Sequence, residues 1–351
     1  IGGGLGPAAP VIRGLLIAFP LLVVFAALFA SADAVFAELA GDLLDRELDL
    51  GSLPGRSLMA VVAGWVAVGL LVFVVRGEES PTQARLDAAW SRRPRLGSIE
   101  AITVLVLVDL LFAGFVVLQA AYLFGGRDTL DATGLTYAEY ARRGFFELLA
   151  VALAVGGLVL AVEAFVARRS RAYLLAAIGL VLMTLVVLAS AFLRLRLYQD
   201  AYGWTELRFY VLAAIAWLGL GAVAAVAALV TDRSRWLLHL MLGLSVAFGL
   251  AFNVIGPVRF IAEQNLARAA EPGRVPAGGS SGLDIRYLSS LGDDALAVIA
   301  EALPSRLPAA LVDEARLVLE ARRMDLQHDE EGRAWQAWNL SRERARSLLS
   351  R

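Results

Sequence analysis

Long apolar runs separated by short polar connections make up most of this chain. Seven of these runs are long enough to cross the roughly 30 Å hydrocarbon core of a bilayer, which takes about 20 helical residues. They predict transmembrane helices near residues 11–32, 57–76, 100–124, 144–167, 171–193, 206–231 and 235–261. A spanning chain must satisfy its backbone hydrogen bonds internally. We therefore expect an all-α integral membrane bundle over residues 1–265.

The hydrophobic pattern changes after the last apolar run. Residues 266–282 include a stretch rich in Pro, Gly and Ser, which is typical of a linker. Residues 283–351 contain three short amphipathic segments, and in the first of them Leu283, Leu288 and Leu291 fall near one helical face. These segments are too short and too polar to span a bilayer. They predict a small C-terminal helical module that packs on the bundle or lies at the membrane interface.

The charges of the connections predict which side of the membrane each one faces. Residues 33–56 hold six acids and two arginines. The arginine-rich connections are residues 77–99, 168–171 and 232–235. These three fall on one side when seven helices are threaded up and down, and the positive-inside rule places that side in the cytoplasm. We therefore expect the C-terminal module to be extracytoplasmic, together with residues 125–143 and 194–205.

The stretch GLTYAEYARRGFFEL, residues 134–148, combines a helix start with an unusual density of charge. Thr136 and Glu139 fit a capping box, which predicts a helix that begins near Tyr137. Glu139, Arg143 and Glu147 recur at i, i+4 and i+8, so they form one stripe of alternating charge.

Two residues of this stretch are not explained by the cap. Arg142 lies about 100° away from the charged stripe. Glu147 lies one turn inside the apolar run, where a charge is costly unless it is paired or hydrated. The stretch is therefore either a cap with a self-paired stripe or a functional polar face.

A second polar group lies at the same predicted side of the membrane. Its members are Arg194, Arg196, Glu206, Arg208, Asn253 and Arg259. The first two suit the C-terminal end of a helix, where the dipole favours cations, and Thr205 is placed to cap the next helix. Arginines that converge beside aromatic residues suit an anionic headgroup, a phosphate or a carboxylate. The alternative is a salt-bridge network that orders the rim of the bundle.

Asp109 is the most deeply placed acidic residue within a predicted membrane helix. An ionisable residue at this depth is by default a functional hypothesis. His239 is the only titratable candidate that we place near the same depth. A proton relay would need more such groups, and the alternative is a neutral or hydrogen-bonded Asp109 at a helix contact.

Composition excludes several kinds of chemistry. The chain is 59% hydrophobic with mean hydropathy +0.68, and its net charge of −1 gives no reason to expect nucleic acid as a partner. It has no cysteine and only two histidines, which argues against thiolate catalysis and a zinc site. All 32 basic residues are arginine, so a lysine Schiff base is excluded. We expect neither a metal nor a cofactor.

Three segments carry a resemblance to a known family. They are LTYAEYARRGFFEL (135–148), IAEQNLARA leading to LDIRYLSSLGDDA (261–295) and WNLSRERA (338–345). Together they resemble the uncharacterised bacterial membrane family DUF4173, which is related to DUF4153. The resemblance implies a multi-pass protein of the bacterial cytoplasmic membrane with a helical C-terminal module. The resemblance assigns no catalytic residues to this chain, because no activity is established for that family.

These observations favour a non-enzymatic function. We expect a scaffold, sensor or transport-associated subunit whose polar rim binds an anionic lipid headgroup or another membrane protein. One alternative is a membrane enzyme that acts on a lipid-linked substrate, with Glu139 or Glu147 as the acid or base. Another is an ion- or proton-coupled transporter that uses Asp109.

The predicted sidedness can be tested by labelling, because the chain has no native cysteine. We expect a Gly134→Cys variant to react with a membrane-impermeant maleimide added from outside the cell. A Ser170→Cys variant, in an arginine-rich connection, should react only after the membrane is opened. Labelling of Gly134→Cys from the cytoplasmic side alone would overturn both the topology and the proposed location of the polar stretch.

Overall fold

The computed structural model describes residues 8–43, 96–125, 144–233, 236–271, 273, 275, 282–303, 307–328 and 340–349. In the first part of the chain its helices are α1 (Ala9–Ala32), α2 (Ala34–Leu43), α3 (Ser98–Gly125), α4 (Phe145–Phe165), α5 (Arg171–Tyr202), α6 (Glu206–Val230) and α7 (Leu237–Ile255). They are followed by α8 (Pro257–Ala270), α9 (Ile285–Ser290), α10 (Asp293–Ala302), a 3₁₀ turn (Ala309–Leu311), α11 (Val312–His328) and α12 (Leu340–Leu349).

Six of the described helices are long and apolar enough to cross a membrane. They are α1, α3, α4, α5, α6 and α7. The chain is therefore a helical, multi-pass membrane protein. The seventh predicted span, at 57–76, lies outside the described residues.

The chain divides into two compact units. The first consists of Ile1–Leu135, Arg143–Phe192 and Leu218–Met241. The second consists of Thr136–Arg142, Leu193–Trp217 and Leu242–Arg351.

Helices α1 and α3 of the first unit are joined by aromatic side chains. The Phe29 ring stacks on Phe115 at 4.0 Å between centroids and meets Phe112 edge to face at 4.9 Å. All three side chains are fully buried. Such pairs add roughly 0.5–1.5 kcal/mol each beyond the area that they bury.

Contacts at the two ends of the first unit fix the directions of its helices. Arg13 pairs with Glu100 at 3.5 Å where α1 and α3 begin. At the other end of α1, Ser31 Oγ donates to Glu147 in the first turn of α4 at 3.5 Å. Helix α4 finishes beside Leu96, whose N–H donates to the Phe165 carbonyl at 2.9 Å. Helices α1 and α3 are therefore parallel, and α4 runs against them, as up-and-down threading requires.

Glycines set two helix boundaries, and the Gly256-Pro257 pair in the sequence predicts the second of them as a break in the last span. Helix α4 begins at Phe145, because Gly144 has a φ of 89°, which is not a helical conformation. The predicted span 235–261 is divided at Gly256, where φ is 62°, and α8 starts afresh at Pro257.

Helix α5 is longer than the predicted span 171–193. It continues to Tyr202 and has 32 residues, or roughly 48 Å at 1.5 Å per residue. The hydrocarbon core is only about 30 Å thick. Part of α5 therefore extends beyond the hydrocarbon.

Helices α8, α9, α10 and α11 belong to the second unit and share one apolar core. Its central buried residues include Leu266 of α8, Leu288 of α9, Ile299 of α10 and Leu319 of α11. Because α8 contributes to this core and is helical to Ala270, the residues after 265 begin as helix rather than as linker.

A close approach of α1 and α3 at Gly14 predicts a specific sensitivity. A Cβ at Gly14 would lie 2.7 Å from Thr103 Cβ and 3.2 Å from the Glu100 carbonyl oxygen. We expect Gly14→Ala to lower the free energy of unfolding by about 1–3 kcal/mol, because the two helices must move apart.

The matched control is Gly114→Ala in α3, where an added Cβ meets no atom within 4 Å. This change should be neutral or raise the stability by up to about 1 kcal/mol. Thermal unfolding of the detergent-solubilised protein measures both effects. Equal effects of the two substitutions would contradict the close approach.

Candidate functional site

Polar contacts in the second unit concentrate on the α5–α6 connection, which consists of Gly203, Trp204 and Thr205. The Asn265 side chain of α8 binds the Trp204 backbone twice. Its Nδ2 donates to the Trp204 carbonyl and its Oδ1 accepts from the Trp204 N–H, each at 2.8 Å. Asn265 is only 8% exposed. The side-chain amide of Asn265 thus binds both the N–H and the carbonyl of Trp204. These two groups lie between helices and have no partner within a helix.

Two arginines satisfy the carbonyl groups at the end of α5. Arg268 donates to the Ala201 carbonyl at 2.8 Å and to the Asp200 carbonyl at 3.3 Å. Arg208 donates to the Gly203 carbonyl at 2.5 Å and stacks on the Tyr198 ring at 3.9 Å. The last four carbonyls of a helix lack partners within the helix and carry partial negative charge. Arg268 therefore caps α5, and Arg208 binds the first carbonyl of the connection that follows it.

Gly203 is required where these side chains meet. Its φ is 81°, and a Cβ there would lie 2.5 Å from Asn265 Oδ1. Burial lowers the pKa of Arg268, and the nearby Arg208 lowers it further. The close packing of the connection thus brings two like charges together.

The other predicted residues near the connection have defined places. Arg194 is 3% exposed. The Arg196 guanidinium donates to Gln199 Oε1 at 3.3 Å, lies 3.9 Å from Asp200 and approaches the Trp204 ring to 5.7 Å. The predicted cap by Thr205 agrees with the structure, since its Oγ1 accepts from the Arg208 N–H at 3.4 Å.

Glu206 connects the start of α6 to the C-terminal helices through its backbone. Its N–H donates to the Tyr287 hydroxyl of α9 at 3.1 Å. The Glu206 side chain lies in the first turn of α6, where a negative charge is favourable. Burial raises the pKa of Tyr287, so this tyrosine remains protonated near neutral pH.

Asn253 and Arg259 make their contacts elsewhere. The exposed Asn253 amide donates to the Gly249 carbonyl of its own helix at 2.9 Å. Arg259 pairs with Glu263 at 2.7 Å and with Glu301 of α10 at 3.2 Å. The hydrogen bond to Glu263 raises the pKa of Arg259. Arg259 therefore ties α8 to α10.

The predicted site residues of the stretch 134–148 are only partly described. Glu139, Arg142 and Arg143 lie outside the described residues, and so does the predicted start near Tyr137. Glu147 belongs to α4 in the first unit. Because Gly144 is not helical, Glu147 cannot share one unbroken helical stripe with the residues before it.

Asp109 and His239 have separate surroundings in the first unit. Asp109 Oδ2 lies 3.8 Å from the position that a Cβ on Gly179 of α5 would take. Its buried Oδ1 has no hydrogen-bond partner in the described part of the chain. His239 is exposed, and its ring lies 5.6 Å from the Trp236 ring. The contacts of His239 thus do not identify it as the partner of Asp109.

A buried polar chain in the first unit escaped the sequence analysis. Ser190 Oγ of α5 donates to Gln119 Oε1 of α3 at 2.7 Å, and Gln119 Nε2 donates to Asp33 Oδ2 at 2.9 Å. All three side chains are at most 4% exposed. Asp33 also accepts from the first N–H groups of α2. In the sequence, this polar chain could have been inferred from Ser190 and Gln119, which are polar residues within apolar runs.

Two arginine-rich connections meet at the opposite end of the first unit. Arg169 pairs with both Glu163 and Asp232. Tyr173 donates its hydroxyl to Glu163 at 2.6 Å. This places residues 168–171 beside Asp232, which agrees with the predicted threading. Among the residues that the structure describes, no group of three or more His, Asp or Glu could hold a metal.

Fold and contacts together define the class as a multi-pass α-helical membrane protein. Residues 3–302 match the family model described as a domain of unknown function, DUF4153, so the chain belongs to that family. The match is to DUF4153, the family that the sequence resemblance names as related to DUF4173, and not to DUF4173. No curated protein and no solved structure shows significant similarity to the chain.

The two asparagines provide a test of the contacts at the connection. We expect Asn265→Ala to lower the free energy of unfolding by about 1–3 kcal/mol, because it leaves the Trp204 N–H and carbonyl without partners. Asn253→Ala is the control, because it removes only a bond to the carbonyl of its own helix. Thermal unfolding in detergent compares the two variants. An Asn265→Ala variant as stable as Asn253→Ala would refute the structural role of Asn265.

Proposed function

We propose that this chain is a non-enzymatic membrane scaffold of the bacterial cytoplasmic membrane. In this proposal the α5–α6 connection and α8 form a rigid polar rim on the outer side. The rim holds the C-terminal helices and presents them to a partner protein or an anionic group. The observation that supports it most directly is the Asn265 contact, in which α8 holds the connection through both polar groups of Trp204.

The hydrogen bonds and ion pairs that the polar side chains of the rim make also favour a scaffold. Arg268 and Arg208 bind carbonyls at the end of α5, and Arg259 binds two carboxylates. Each contact joins one element to another and fixes its geometry. A membrane enzyme would instead need a carboxylate placed beside a substrate cleft, as proposed for Glu147. The described contact of Glu147 is with Ser31.

One exposed apolar pair on α11 suggests where a partner binds. Leu317 is 67% exposed and Met324 is 58% exposed, although α11 is not one of the candidate spans. Because they are seven residues apart, they lie on one helical face. Arg316 and Arg323 precede them directly in the sequence. Asp325 follows Met324, so charges of both signs flank the pair, which suits a protein surface with an apolar centre and a polar rim.

Photo-crosslinking in native membranes tests this function. A photoreactive amino acid at Leu317 in the full chain should give one discrete protein adduct. The adduct should weaken severalfold in Asn265→Ala, because the rim no longer holds the helices in place. It should persist in Asn253→Ala.

A Glu147→Gln change separates the scaffold from the enzyme alternative. The scaffold function predicts the same adduct, since glutamine can still accept a hydrogen bond from Ser31. Absence of a protein adduct at position 317, or an adduct unaffected by Asn265→Ala, would contradict the scaffold.

A further inference from the structure

Two guanidinium groups meet at Gly203 although both are positively charged. Arg208 Nη1 lies 2.5 Å from the Gly203 carbonyl oxygen. Arg268 Nη1 lies 3.0 Å from the position that a Cβ on the same glycine would take. The positive charge of Arg208 is near enough to lower the pKa of Arg268, which burial already lowers. The Asp200 carboxylate raises the pKa of Arg268, in the opposite direction, and offsets part of this repulsion, and the carbonyl dipoles of α5 offset a further part.

Positive charge also exceeds negative charge around the connection. The segment from Arg194 to Arg208 and the facing turn of α8 contribute four arginines, namely Arg194, Arg196, Arg208 and Arg268. The same residues include two acids, Asp200 and Glu206. The Asp200 carboxylate lies toward Arg196, at 3.9 Å, and its side chain is 53% exposed. An anion would therefore be attracted to this part of the rim.

With the predicted span beginning at residue 171, the length of α5 puts these arginines at the level of lipid headgroups. Arg194 lies 23 residues beyond Arg171, or roughly 35 Å along the helix, which already exceeds the hydrocarbon core of about 30 Å. Tyr198 and Tyr202 lie beyond it, with their rings 5.2 Å apart, and Trp204 follows. Tyrosine and tryptophan are typical of the headgroup region. Phosphate is the charged group that phospholipids provide at this level.

Arg208 has the geometry of a phosphate ligand. The Tyr198 ring lies against its guanidinium plane and orients it, while one Nη1–H is bound to Gly203. A guanidinium has five N–H donors. Within the described residues Arg208 uses one of them in a hydrogen bond. Its remaining edge can form the paired hydrogen bonds that arginine makes with phosphate oxygens.

We propose that Arg208 and Arg268, oriented by Tyr198 and by the end of α5, bind a phosphate group at the α5–α6 connection. The group is either the diester of an anionic phospholipid or free inorganic phosphate. The inference rests on the proposed function, because it names the anion that the same rim binds. It differs from a purely capping role, in which the two arginines would stabilise α5 equally with and without phosphate.

Thermal unfolding of the full chain in a zwitterionic detergent tests this site. One arm compares phosphatidylglycerol with phosphatidylcholine, and the other compares inorganic phosphate with chloride at equal ionic strength. We expect the unfolding midpoint of the wild type to rise with phosphatidylglycerol or with phosphate. In Arg208→Gln the apparent affinity should fall at least about tenfold, because a charge-assisted pair of hydrogen bonds is lost.

Two further variants control for charge and for misfolding. Arg286→Gln removes a charge from the same unit at a side chain that is 87% exposed and pairs with Glu314, so its response should match the wild type. Arg208→Lys keeps the charge without the planar fork and should show an intermediate affinity. Retention of phosphatidylglycerol, measured by native mass spectrometry, compares Arg208→Lys with the wild type even if the glutamine variant does not fold.

Each outcome decides the inference. A response to the lipid alone supports a headgroup site, and a response to both ligands supports a site for phosphate itself. The inference is overturned if neither ligand raises the midpoint, or if Arg208→Gln responds as strongly as Arg286→Gln. Loss of the crosslinked adduct at position 317 tests the scaffold separately, so either proposal can fail while the other stands.

Discussion

Backbone polar groups at helix ends are the constraint on which the second unit depends. Where α5 stops, its last carbonyls and the polar groups of Trp204 have no partner within a helix, and leaving them buried and unbound costs free energy. Arg268, Arg208 and Asn265 supply those partners. Because two of the three side chains come from α8, the end of α5 and the start of the C-terminal helices form one hydrogen-bonded unit.

The first unit meets a similar constraint with neutral and acidic groups. Asp33 caps α2 with one oxygen and accepts from Gln119 with the other, and Ser190 completes the chain. Three helices are thereby joined by directed bonds. In a bilayer the hydrophobic effect does not press helices together, so packing and hydrogen bonds decide their register. The aromatic cluster and the close approach at Gly14 provide the packing.

The sequence predicted what depends on local pattern. Six of the spans, the cap at Thr205 and the break near Gly256 follow from apolar run length and from the properties of threonine, glycine and proline. The hydrogen-bond partner of each polar side chain could not be predicted in the same way. Nothing local shows that the amide of Asn265 binds a residue 61 positions away, whereas Asn253, twelve residues earlier, binds only its own helix. Such choices depend on tertiary packing, so local pattern does not distinguish Asn265 from Asn253.

Gly256 has a consequence for how the protein adapts to its bilayer. Helix α7 is the only candidate span in the described residues whose most apolar window has no buried residue, and its 19 residues measure roughly 28 Å. The backbone conformation at Gly256 separates α7 from α8, which carries Asn265 and Arg268. The described residues therefore leave most of the surface of α7 uncovered. Because α8 starts as a new helix at Pro257, a change in the tilt of α7 is not passed along one continuous helix axis to the hydrogen bonds that Asn265 and Arg268 make.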